Sequence, residues 1–103
     1  MRLDAFLKLS RLVLRRTVAN QICNAGFVKV NGLRAKPSKE VREGDEIEIN
    51  YLGKRLEVKI VSIPSNKQVS KRNASKLYEV LSEISLSDEE PRFEIVNAYK
   101  EEN

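Results

Sequence analysis

At 103 residues the chain has room for one hydrophobic core, but not for a catalytic domain beside a separate recognition module. Apolar residues make up 41% and charged ones 33%; the aliphatic runs are far shorter than the roughly 18 residues needed to cross a bilayer, so a membrane helix is excluded. The net charge of +4 hides a division: residues 1–39 hold nine basic groups against Asp4 alone, giving +8 and leaving −4 for the rest.

Such a split predicts a positive face on an otherwise neutral or acidic domain, the electrostatic footprint of a nucleic-acid binder. Ordinary solubilising surfaces intersperse the two signs. Histidine is absent, which removes the commonest general base, metal ligand and partner of a nucleophile. The carboxylates gather in residues 40–57 and from Glu79 onward, with no motif that pairs two of them across a cleft, and no glycine-rich cofactor loop is present. A binding protein rather than an enzyme is expected, with no cofactor or metal. The single cysteine, Cys23, fits a reducing compartment. The opening MRLDAFLKLSRL has neither the apolar core nor the cleavage site of a secretory signal, so a cytoplasmic location is expected.

In chain order, Leu3, Phe6 and Leu7 recur at helical spacing, with Asp4 in the first turn and Lys8 near the end, both well placed for the helix dipole. The segment SRLVLRRT follows, crowding Arg11, Arg15 and Arg16 around Leu12-Val13-Leu14 with no acid among them. The arginines imply an anion opposite, and the three apolar residues are expected to hold this edge to the core. Thr17 is expected to cap a second helix over residues 18–24, closed by Gly26 in a left-handed conformation. Asn20 gives only a partial capping box. Cys23 lies one turn after Ala19 and reads as a small core hydrophobe, with a reactive thiol as the alternative.

Val28 and Val30 flank Lys29 and lead into Asn31-Gly32, a strong hairpin signal because both residues tolerate positive φ. Glu43-Gly44-Asp45 makes another turn, after which Ile47, Ile49 and Tyr51, then Leu56, Val58 and Ile60, alternate as the buried faces of antiparallel strands, with Gly53 in the loop between. SNKQVSKRN reads as an exposed linker. Ala74, Leu77, Tyr78 and Leu81 recur at i, i+3, i+4 and i+7, which predicts a last helix. Beyond Ser85 a loosely ordered tail is expected, in which FEIV is a candidate strand or binding segment.

The combination of RLDAFL, SRLVLRRT, AGFVKVNG and EGDEIEI resembles the S-four-type RNA-binding (αL) domain over residues 1–61. The resemblance implies an α+β fold, two N-terminal helices on a small antiparallel sheet. The residues beyond it read as a linker and C-terminal helix over 62–84 and a flexible tail over 85–103, an extension by which the chain departs from the short family pattern. With SKLYEVL added, the chain is similar to the short bacterial ribosome-quality-control factors that stabilise P-site tRNA, the RqcP family, which are related to a small heat-shock protein that handles obstructed large subunits. The family implies a monomer on the large ribosomal subunit that touches rRNA and peptidyl-tRNA while a partner factor tails the stalled nascent chain. Recycling of obstructed subunits, or general binding of structured RNA, stands as the alternative.

The match carries the family's RNA-contacting positions to Arg2 and Arg16, with Arg11 and Thr17 as further motif positions. Lys8, Arg15, Asn20, Lys29 and Lys36 complete the candidate RNA-binding set. Asp4 either orients an arginine or simply stabilises the helix start. Guanidinium forks suit phosphate where lysine offers only a point charge, and the start of the first helix is expected to offer free backbone donors beside Arg2. No aromatic array accompanies the basic block, so structured RNA is favoured over a single strand. A helix-turn-helix DNA binder would place base-reading side chains along its second helix, whereas here the cations precede it. A protein adaptor with an acidic partner is the remaining rival.

Overall fold

A computed structural model describes residues 1–65 and 68–85. Two helices, α1 (Leu3–Leu9) and α2 (Arg16–Asn24), precede a hairpin of β1 (Val28–Val30) and β2 (Leu33–Arg34). Strands β3 (Glu46–Tyr51) and β4 (Lys54–Ile60) follow, then a four-residue helix α3 (Lys71–Ala74), a 3-10 turn (Ser75–Leu77) and β5 (Tyr78–Ser85). The strands form one sheet in the order β2-β1-β3-β4-β5, and every pairing is antiparallel. The α+β architecture expected from the sequence is thus the one observed.

Alternation sets the sheet's faces. Val28, Val30, Ile47, Ile49, Val58 and Ile60 are buried and belong to one core with Leu3, Phe6 and Leu7 of α1 and Val18, Ala19, Ile22 and Cys23 of α2. Each large side chain so buried contributes about 1.5–3 kcal/mol. This face fixes both helices on one side of the sheet, leaving Lys29, Glu46, Glu48 and Lys59 on the other.

Backbone stops are equally local. Gly26 (φ 86°) and Phe27 donate to the carbonyls of Cys23 and Ile22, a Schellman closure of α2. A Cβ on Gly26 would also lie 3.2 Å from the Arg34 guanidinium. Asn31 and Gly32 take φ of 52° and 85° in the two-residue turn between β1 and β2. The Asn31 side chain bonds to Asp45 Oδ1 and to the Glu46 amide, tying that turn to the next.

Two expected elements differ. Thr17 does not cap α2: Arg15 is the cap residue, and no side chain caps the helix start, where Ala19 N–H closes the first turn on the Arg15 carbonyl. The helix expected over 74–81 is realised only in its first part, where Ala74 and Leu77 are buried; Ser70 caps α3 by accepting from the Asn73 amide. From Tyr78 the chain is strand, paired with β4 from Ile60↔Tyr78 to Lys54↔Ser85. β4 would otherwise present a row of unpaired backbone groups, and Tyr78, Val80 and Ile84 are strand formers, so pairing overrides the helical spacing. The tail and its FEIV segment lie outside the described residues.

Candidate RNA-binding interface

The start of α1 is strapped to the segment after β2. Leu3 N–H donates to the Lys39 carbonyl at 2.7 Å and Asp4 N–H to the Pro37 carbonyl at 3.1 Å, while Val41 N–H returns to the Met1 carbonyl at 2.9 Å. The backbone donors expected to be free beside Arg2 are therefore engaged. The strap also pairs the Met1 amine with Glu40, whose carboxyl is held below the ordinary range by that ammonium.

Inside this corner Asp4 is only 1% exposed. A buried carboxylate must be paired and hydrogen-bonded. Arg2 meets it as a fork, Nε to Oδ1 and Nη2 to Oδ2, both at 3.2 Å. From α2, Arg16 Nη2 donates to Oδ1 at 3.4 Å and Asn20 Nδ2 to Oδ2 at 2.9 Å. Burial pushes the Asp4 carboxyl up, but hydrogen bonds and charge from Arg2 and Arg16 outweigh it, so the group sits below its ordinary value and stays ionised. Of the two alternatives for Asp4, this is the geometry of an anchor for arginines.

One acid thus holds two arginines that remain about half exposed, 51% and 53%. The pair keeps a net positive charge and presents donors to solvent in fixed directions, a suitable arrangement for phosphate oxygens. Beside it lies a cleft of about 530 Å³ lined by Met1, Arg2, Ala5, Lys8, Leu9 and Arg16. Asn24, one turn beyond Asn20, donates to Asn20 Oδ1 at 3.3 Å and steadies it; the i, i+4 spacing of these asparagines was the available sequence signal.

The connecting loop is pinned as well. Ser10 is buried, its hydroxyl donating to the Leu7 carbonyl and accepting from the Leu12 amide. Val13 N–H donates to the same Leu7 carbonyl, and Arg11 takes a left-handed φ of 62° while donating to the Lys8 carbonyl. Val13 is buried and Leu12 packs on the core, as expected, but Leu14 is 75% exposed and does not help hold the edge. Val13 takes the fully buried position with Leu12 against the core before it, so Leu14 beyond it faces outward.

The predicted residues therefore separate into groups. Arg2, Arg16 and Asn20 converge on Asp4; Lys8 and Arg11 lie along the exposed side of α1 and the loop; Arg15 and Thr17 are exposed at the start of α2. Lys29 is not with them: it sits on the outward sheet face, 3.9 Å from Glu48. Lys36 is exposed in the loop after β2, where it lines a separate hollow with Arg34 and Lys39. Cys23 is buried, and burial, then the Asp4 charge, pushes its thiol up to about 12, so it is protonated and inert.

Residues 1–47 match the S4 domain family. The chain is 46% identical over 90 residues to the RQC P-site tRNA stabilizing factor of Halalkalibacterium halodurans, covering 87% of this chain and all of that one. It is 39% identical over 88 residues to the factor of the same name from Streptococcus pneumoniae, covering 85% and 98%. The chain belongs to the S4-domain family of RQC P-site tRNA stabilizing factors. Its fold is also that of heat shock protein 15 from Vibrio cholerae, a trimeric structure, with a TM-score of 0.73, 30% identity and coverage of 80% of this chain and 82% of that one. The S4 match contains Asp4 and all its partners, as well as the hairpin that closes the sheet's far edge.

Proposed function

We propose that this chain binds RNA of the large ribosomal subunit and steadies P-site peptidyl-tRNA during quality control of stalled translation, acting by binding and not by catalysis. The observation that carries the reading is the Asp4-anchored arginine pair on a cation-rich face, in a chain whose relatives are named as P-site tRNA stabilizing factors. Residues 1–61 form the RNA-binding unit, and the protein works as a monomer in the cytoplasm.

Arg2 and Arg16 bind phosphate, Asp4 and Asn20 hold them, and Lys8, Arg11, Arg15 and Thr17 extend the contact along the edge where the helices meet. Lys36 contributes from the loop after β2. Such a face reads the shape of folded RNA through its backbone. By holding the tRNA, the chain supports the factor that tails the nascent polypeptide. The likeness to heat shock protein 15 favours, as a second reading, service to obstructed large subunits without tailing.

Co-sedimentation with purified large subunits, empty or carrying peptidyl-tRNA, tests both. Preference for loaded subunits that Arg16→Ala abolishes is the expected result. Equal binding to empty and loaded subunits would favour a general subunit contact, and no binding to either would defeat the ribosomal reading. Affinity should also fall steeply with salt, each neutralised phosphate contributing about 0.7–0.9 to the slope of log K against log salt.

A further inference from the structure

A second cleft, about 300 Å³, adjoins the first and is lined by Lys8, Leu9, Arg11, Leu14, Gln68 and Val69. Lys8 and Leu9 line both, so the two hollows run together across the exposed side of α1. To the shared Lys8 and Leu9 the second adds Arg11, Leu14, Gln68 and Val69, so that Leu14 and Val69 stand beside cations and a polar amide.

A single exposed leucine ordinarily needs no explanation. Leu14 is more than a chance exposure because its loop is pinned on both sides of it, through Ser10 and Val13 on one and the start of α2 on the other, and because it lines a cleft continuous with the arginine pair. The backbone is thus committed to displaying an apolar side chain, 75% exposed, on an edge that also carries Lys8, Arg11, Arg15 and Arg16. Phosphate alone calls for no apolar surface. A nucleotide whose base is out of the stack does, since it offers a flat apolar face next to an anionic backbone.

We infer that the Lys8–Arg11–Leu14–Val69 cleft receives an unpaired nucleotide of the bound RNA, its base or ribose against Leu14 and Val69 and its phosphates against Lys8 and Arg11. The inference rests on the RNA-binding reading above and adds to it a local preference for unpaired over paired RNA. Continuity with the arginine pair singles out RNA as the occupant over an acidic peptide: a strand held at Arg2 and Arg16 passes Lys8 before it reaches Leu14.

The test uses large subunits carrying peptidyl-tRNA, saturated with wild type, Leu14→Ser, Leu14→Met or Arg16→Ala, and probed with base-reactive dimethyl sulfate and a carbodiimide. Wild type is expected to change the reactivity of at least one unpaired base; Leu14→Ser should lose that change and bind about fivefold more weakly, as for losing part of a leucine's apolar burial, and Leu14→Met should retain both. Thermal stability should be unaltered in both Leu14 variants, because the side chain is exposed. An unchanged footprint in Leu14→Ser would overturn the cleft assignment while leaving the RNA reading intact. Failure of wild type to co-sediment with the loaded subunits would overturn that reading itself, and the cleft with it.

Discussion

The outward face of the sheet and the outer side of the helices that cover its other face both carry charge, to opposite effect. On the outward face, charges meet partners across strands: Lys29 lies 3.9 Å from Glu48, Glu46 is opposite Lys59, and Arg55 Nε donates to Asn50. These contacts are partly or fully solvated and of mixed sign, worth little individually and leaving little net field. On the helical side, Arg2 and Arg16 share one buried acid, and Lys8, Arg11 and Arg15 add charge without adding an acid to the sequence between them. Where the sheet face neutralises locally, the helical face concentrates one sign and fixes its direction. The proposed RNA contact rests on that separation and on the buried anchor, not on the number of charges.

The largest disturbance removes both faces at once. Ile49→Asp places a carboxylate at a side chain 3% exposed in the shared core, and should cost more than about 4 kcal/mol and leave much of the protein unfolded; a wild-type thermal transition would show that β3 does not carry the core. Next in size, Arg16→Ala should weaken binding to tRNA-loaded subunits by about ten- to a hundredfold, as expected for losing a hydrogen bond to a charged group. Its stability should change by only about 0–1 kcal/mol because Arg16 is half solvated. Circular dichroism melts beside the binding assay separate the two effects.

Asp4→Asn sharpens the comparison in a smaller way. The Asp4 pKa lies below its unfolded value, so its contribution to stability is fully present above the ordinary carboxylate range and is lost as pH falls through the depressed value. The variant should be less stable than wild type at neutral pH, and the difference should shrink in melts taken below about pH 4. RNA affinity should fall with it, since Arg2 and Arg16 lose the acceptor that aims them. Smallest of all, Lys29→Gln should change subunit binding by less than about twofold and stability by less than about 0.5 kcal/mol, because that lysine lies on the other face with Glu48 at 3.9 Å. A loss comparable to that of Arg16→Ala would extend the RNA contact around the sheet.

Much of this was legible from residue order. The alternation of Ile47, Ile49, Val58 and Ile60, the Asn31-Gly32 turn and the Gly26 stop are local signals with period 2 or with a demand for positive φ, and each appears as expected. The near absence of acids from residues 1–39, which hold nine basic groups beside Asp4, foretold a cationic face. Spacing failed at Tyr78–Ser85, where a helical stripe and a strand share the same residues and the open edge of β4 decides between them. It failed again at Leu14, because the sequence LVL does not say which of three apolar neighbours faces inward.

By itself, then, the sequence determined the element types up to β4, the sign of the face and the family resemblance, since all three depend on neighbours or on composition. Only the tertiary structure decided that Asp4 is the anchor, that Lys29 is turned away from it, and that Leu14 faces solvent beside Lys8 and Arg11. Those facts join Arg2 of the N-terminus to Arg16 and Asn20 of α2, and the end of α1 to residues near Val69. Contacts between segments so far apart in the chain follow from how the helices pack on the sheet and leave no periodic trace along it.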